Sequence, residues 1–181
     1  MSNLRKESVR NILAEYDSHW PIAYAQEKDR ILAAVGDKVV AIEHIGSTSV
    51  PKLRSKPIID ILVGVRRLAD VKSCIEPLQR LGYEYRPENR KLIPNTEYFR
   101  KGPSGANSHH LRIVQVESDL WRQYVLFRDY LRSHAAEAQL YERLKIEAYE
   151  KHGRYPPLEA KKNFIETIIA RARSEVNSSA H

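Results

Sequence analysis

One cysteine in 181 residues, Cys74, leaves no partner for an internal disulfide and fits a reducing, cytoplasmic setting. Glycines number only seven, beside 42% apolar and 29% charged residues, which excludes collagen-like, low-complexity and wholly disordered chains. Long apolar runs are missing as well. The opening MSNLRKESVRN has no apolar core of a signal peptide, and no stretch approaches the length of a membrane span. Neither an internal repeat nor an interdomain linker interrupts the chain, so residues 1–181 read as one domain, with a polar tail over about 174–181. What is present in excess is positive charge. Thirty Lys and Arg against 23 Asp and Glu leave +7. That suits an anionic partner, and a phosphate-bearing small molecule satisfies it as readily as nucleic acid.

The first half alternates short β-like runs with helical patterns. Asp17 or Ser18 caps a helix with Pro21 near its first turn; Trp20, Tyr24, Ile31 and Val35 form its apolar stripe and Gly36 ends it. Val39–Ile42 reads as a strand leading into Gly46-Ser47-Thr48. Ile58–Val65 is a near-continuous apolar run, the pattern of a strand buried on both faces, with one acid, Asp60, inside it. A helix is predicted over Leu68–Leu81, with Pro77 near its middle. Strands are predicted at Tyr83–Tyr85, Glu97–Arg100 and His110–Val116, and loops at PENRKLIPNT and KGPSGANS. From Ser118 the pattern turns helical: Trp121, Val125, Arg128 and Arg132 share a face. A further helix over Ala135–Lys151 carries Leu140, Leu144 and Ala148 four apart. Gly153 and Pro156-Pro157 then break the pattern before a last helix over Leu158–Arg173. The fold class is α+β: a small mixed β-sheet flanked by helices, with a C-terminal helical segment.

The chemistry concentrates in EHIGSTSVPKLRSKPIIDILVGV, residues 43–65. A Gly-Ser pair directly after a strand lets backbone approach a ligand and offers a hydroxyl to a phosphate oxygen. If a helix starts there, its free N–H groups favour an anion. Lys52, Arg54 and Lys56 bring countercharge. Asp60 is costly in an apolar strand unless it is paired or bound to metal. A plain turn and an ion-paired Asp stand about level with a ligand site on these residues alone.

The stretches IEHIGSTSVP, KPIIDILVGV, YFRKG, HHL and FRDYLRSH, in this order from about Asp17 to Ile169, resemble the GrpB-like family, whose fold belongs to the nucleotidyltransferase superfamily. The resemblance implies that Gly46, Ser47 and Thr48 hold a nucleotide triphosphate, with Lys56, His44 and Lys161 as further contacts. It places Asp60, on its strand, as the first acid for Mg²⁺ or another divalent cation. The second acid of the superfamily pattern falls at Leu62, and no third acid appears beside it. His110 and Arg112 occupy the strand where that third acid is expected, and Glu43 is the one nearby carboxylate that could add to the metal site. Arg112 is always charged, so it is an anion clamp rather than a ligand. Arg128, Asp129 and Arg132 are expected to form structural ion pairs.

Three functions follow. The resemblance implies a nucleotide- or phosphate-binding protein that transfers a nucleotidyl group from an NTP to a small hydroxyl acceptor, with Asp60, His110 and Arg112 at the reacting centre. The alternative is a catalytically degenerate binding or helper module, since GrpB-like domains occur fused to dephospho-CoA kinase. A basic nucleic-acid binder ranks last, because the cations cluster at one turn and no nucleic-acid motif appears.

Overall fold

The computed structural model describes residues 13–103, 106–152 and 158–179. The expectations placed on the N-terminal dozen residues, on Gly153, Pro156 and Pro157, and on residues 180–181 lie outside the described residues. Five strands form one mixed sheet: β1 (Val39–Ile45), β2 (Ile59–Val65), β3 (Tyr83–Tyr85), β4 (Glu97–Lys101) and β5 (His109–Gln115). Their spatial order is β1-β2-β5-β4-β3. Only β2 and β5 run parallel; the other pairs are antiparallel.

On one face lie α1 (His19–Val35) and the short α2 (Ile75–Arg80). Trp20, Ile31 and Val35 of α1 close over Ile42, Ile61, Val63, Leu111 and Ile113, as the helical stripe predicts. Asp17 serves the helix start, its Oδ1 accepting from the His19 amide at 2.8 Å. The opposite face holds Ile45, Leu62 and Val114 against Trp121, Tyr124 and Val125 of α3 (Asp119–Ser133). Alternate residues of β2 are therefore buried on both sides, which is why its sequence is apolar almost throughout. Each such side chain contributes roughly 1.5–3 kcal/mol. Gly64 makes room on this face, because a Cβ there would stand 3.0 Å from the Trp121 ring. Ser118 caps α3 by accepting the Trp121 amide through Oγ.

The C-terminal helices α4 (Ala135–His152) and α5 (Leu158–Ser179) pack with α3 on the segment after β1, where Val50 and Leu53 meet Leu131, Ala138 and Tyr141. Three expectations change here. The helix predicted over Leu68–Leu81 is a 3-10 stretch, Leu68–Cys74, followed by α2. Restarting at Ile75 places Pro77 in a first turn, where its missing N–H has no intrahelical acceptor to lose. The last helix runs past Arg173 to Ser179. Finally, α4 does not bury the Leu140 stripe: Leu140 is 45% exposed, and Ala138, Tyr141 and Lys145 form the inward ridge.

Candidate active site

Gly46 ends β1 with φ 71°, a conformation open to glycine. Its lack of a side chain has a second reason: a Cβ would lie 2.3 Å from Asp60 Oδ2. Ile45 pairs with Asp60 across β1 and β2, so strand register brings the turn and the acid together. Asp60 in turn pairs with His110 across β2 and β5. The His110 Nδ1–H donates to Asp60 Oδ1 at 3.1 Å, and Asn107 Nδ2 donates to His110 Nε2 at 3.4 Å. Asp60 thus faces the turn with one oxygen and the histidine with the other.

No α-helix begins after Gly46. Ser47–Ser49 is a single 3-10 turn, too short for a helix dipole to matter, and countercharge must come from side chains. Sequence reasoning missed the residue that supplies it most directly. Lys145 of α4 is 1% exposed and donates to Ser47 Oγ at 3.2 Å and to the Arg54 carbonyl at 2.6 Å. Burial, with a contribution from the charge of Lys161, brings its pKa down to about 7. Lys56, half-buried with its Nζ 6.0 Å from the centre of the Tyr149 ring, is also lowered by burial and by Lys161. Lys145, Lys56 and Lys161, from three segments, thus act on one another electrostatically, and Lys145 joins them to Ser47. A lone lysine seven residues after Ala138 and four after Tyr141 was the available signal, hidden because the leucines beside it form a more apolar stripe.

The remaining candidates divide. Thr48 is fully buried and donates to the Ile58 carbonyl at 3.3 Å, so the His44 Nε2–H donates to Thr48 at 3.0 Å. His44 does not lie on the face where the resemblance places it as a nucleotide contact. It pairs with Ile61 on the opposite face and stacks on Tyr24 at 4.7 Å, and burial takes its pKa to about 4. Both residues hold the turn from behind. Glu43 does lie on Asp60's face, beside Leu62, but Arg128 Nη1 binds it at 2.5 Å and also donates to the His44 carbonyl. Its Oε2 is thereby engaged in the ion pair. Arg128–Asp129 and Arg132–Asp129 complete the expected structural pairs. Arg54 is likewise committed, to Glu15 and Glu142, and Lys52 is exposed at φ 66°. Cys74 is buried, its thiol pKa raised by that burial. Among the described residues no group of three His, Cys, Asp or Glu side chains is arranged to hold a metal ion.

The family model for GrpB protein matches residues 11–171. The chain belongs to the GrpB family. It is 34% identical over 164 residues to the glutamate-rich protein GrpB of Alkalihalophilus pseudofirmus, covering 87% of this chain and 93% of that one. The UPF0157 protein YqkA of Bacillus subtilis is 36% identical over 147 residues, 81% of this chain but only 41% of the relative's length. In structure the chain is similar to the conserved protein GrpB from Enterococcus faecalis, with TM-score 0.80 and 32% identity over 91% of this chain and 99% of that one. The nucleotidyltransferase-like fold extends further. A Cid1 poly(U) polymerase structure described as Mg 3'-dATP bound superposes with TM-score 0.51 at 14% identity, over 83% of this chain and 46% of that one. With the polymerase, at that identity, what this chain shares is its fold.

Proposed function

We propose that this GrpB chain binds the phosphates of a nucleoside triphosphate on the Gly46–Ser47 turn and transfers the nucleotidyl group to a small hydroxyl compound. The observation that carries the reading is the meeting at Ser47 of a glycine turn, a buried lysine and, through Gly46, the strand acid Asp60. Lys145, Lys56 and Lys161 offset the phosphate charge as point charges. A two-metal centre does not fit these residues, since Leu62 and the Arg128-bound Glu43 leave one carboxylate. A single Mg²⁺ carried by the triphosphate fits, because such ions commonly take one protein carboxylate plus phosphate oxygens and water. Asp60 Oδ2, on the turn side, is the group that would hold it. His110, steered by Asp60, takes the acceptor's hydroxyl proton at Nε2, the long 3.4 Å contact from Asn107 Nδ2 giving way to it, as the new O–P bond forms and pyrophosphate departs.

Calorimetry with the four NTPs and Mg²⁺ tests the binding, and transfer of labelled α-phosphate to a panel of alcohols tests the reaction. Ser47→Ala and Lys145→Met are expected to weaken binding at least tenfold. Absence of NTP binding by the native protein overturns the reading. The missing acids favour a second reading, a helper module that keeps the pocket without transfer chemistry; binding without pyrophosphate release for any alcohol selects it.

A further inference from the structure

On the side of Asp60 away from Ser47, the sheet presents a second cationic position of different character. Arg112 follows His110 by two residues on β5 and lies between Leu62 and Tyr98 in the sheet register. Its guanidinium sits over the Tyr98 ring, 4.7 Å from the centroid. Tyr98 also meets the His110 ring at 5.6 Å, so Arg112, Tyr98 and His110 form one continuous wall. The arginines around it are spoken for: Arg100 and Arg86 both bind Glu84, Arg86 also binds Glu88, and Arg128 binds Glu43. Among the described residues no carboxylate lies within ion-pair distance of Arg112. Its Nη1 is buried without an acceptor, and Asn107 Oδ1, on the residue whose Nδ2 faces His110, is buried without a donor. Buried polar atoms left unsatisfied are uncommon, and these two lie on residues that reach the His110 ring, Asn107 directly and Arg112 by way of Tyr98.

We propose that Arg112 anchors an anionic group, phosphate or carboxylate, on the hydroxyl compound that accepts the nucleotidyl group, with Asn107 Oδ1 accepting a hydrogen bond from one of its hydroxyls. The proposal rests on the nucleotide reading for the name acceptor, but the site itself is separate from the lysine cluster at Ser47. A planar guanidinium on an aromatic ring offers paired donors in a fixed plane, suited to the two oxygens of a carboxylate or phosphate. Turning the guanidinium on the Tyr98 ring brings Nη1 to such a group. The reacting hydroxyl then lies beside His110 Nε2. Where a third acid would have left room for a second cation, this chain carries a cation of its own, and the substrate gains the matching negative charge.

The test titrates glycerol, glycerol 3-phosphate and glycerate into the native protein by calorimetry, alone and with saturating α,β-methylene-ATP, and repeats this with Arg112→Gln and Arg112→Lys. Binding of at least one anion, with none by glycerol, is expected. Arg112→Gln should lose that binding tenfold or more and Arg112→Lys several-fold, while both keep their affinity for α,β-methylene-ATP within about twofold and melt near the native temperature. Which anion binds tells phosphate from carboxylate. The proposal is overturned if neither anion binds, if glycerol binds as well as they do, or if Arg112→Gln binds them normally. Loss of α,β-methylene-ATP affinity in Arg112→Gln also overturns it, by assigning Arg112 to the nucleotide. Failure of the native protein to bind the nucleotide defeats the nucleotide reading alone, because the anion titrations without nucleotide still report on Arg112.

Discussion

Lys145 and His44 are both buried bases whose neutral forms are favoured by the protein interior, and they make opposite use of it. Lys145, with a pKa of about 7, is mostly neutral at pH 8 in the free protein. A phosphate brought against it restores the charged form, so nucleotide binding at pH 8 is expected to take up close to one proton. Calorimetry in buffers of different ionisation enthalpy measures this, and the uptake should vanish in Lys145→Met. For His44 the consequence is stability. The unfolded chain protonates near the ordinary 6.5 while the folded chain waits until about 4. The unfolded state therefore holds the extra proton in that window, and stability falls as pH drops from 6.5 to 4 by up to about 3 kcal/mol. Denaturant titrations should show a flatter acid slope for His44→Gln. Neither behaviour was legible in the sequence. Lys145 carries no motif that marks it, and His44, which the resemblance places among the nucleotide contacts, is turned to the other face by its register with Ile61.

The decisive element is the β1 turn and its two strands. Gly46→Ala combines a positive φ with a Cβ placed 2.3 Å from an Asp60 oxygen. Backbone strain alone costs about 1 kcal/mol, and the displaced Asp60 also loses its place between turn and histidine. Gly46→Ala is expected to lower the melting temperature by several degrees and weaken NTP binding more than tenfold, measured by thermal unfolding and calorimetry. The turn and the β2 strand were readable from residues 43–65, because glycine punctuation and a doubly buried apolar run are local signals. The helix at Leu68–Leu81 was not: its hydrophobic spacing suits either a 3-10 stretch or an α-helix, and Pro77 decides where the second can begin.

At the scale of the molecule, the candidate site brings together the sheet with its β1 turn, which carry Asp60 and Ser47, and the C-terminal helices that carry Lys145 and Lys161. A ligand touching both should tie them together. Saturation at a hundred times Kd is expected to raise stability by about 2.7 kcal/mol and to slow hydrogen exchange along α4. Ser47→Ala should lose both effects, as followed by thermal unfolding and exchange mass spectrometry. Of the residues behind the excess of seven positive charges, Lys145 meets Ser47 and Arg112 lies over Tyr98.

The sequence by itself determined the α+β class, the strand and turn that carry Gly46, Ser47 and Asp60, and the shortage of acids, since each of these is written in neighbouring residues or in residue type alone. Tertiary structure alone decided which charges are spent and which remain. Glu43 meets Arg128 from 85 residues away, Lys145 reaches Ser47 across 98, and Arg112 meets no carboxylate among the described residues. Side chains so far apart in sequence find one another only when strand register and helix packing have fixed their positions, and no local pattern encodes that meeting.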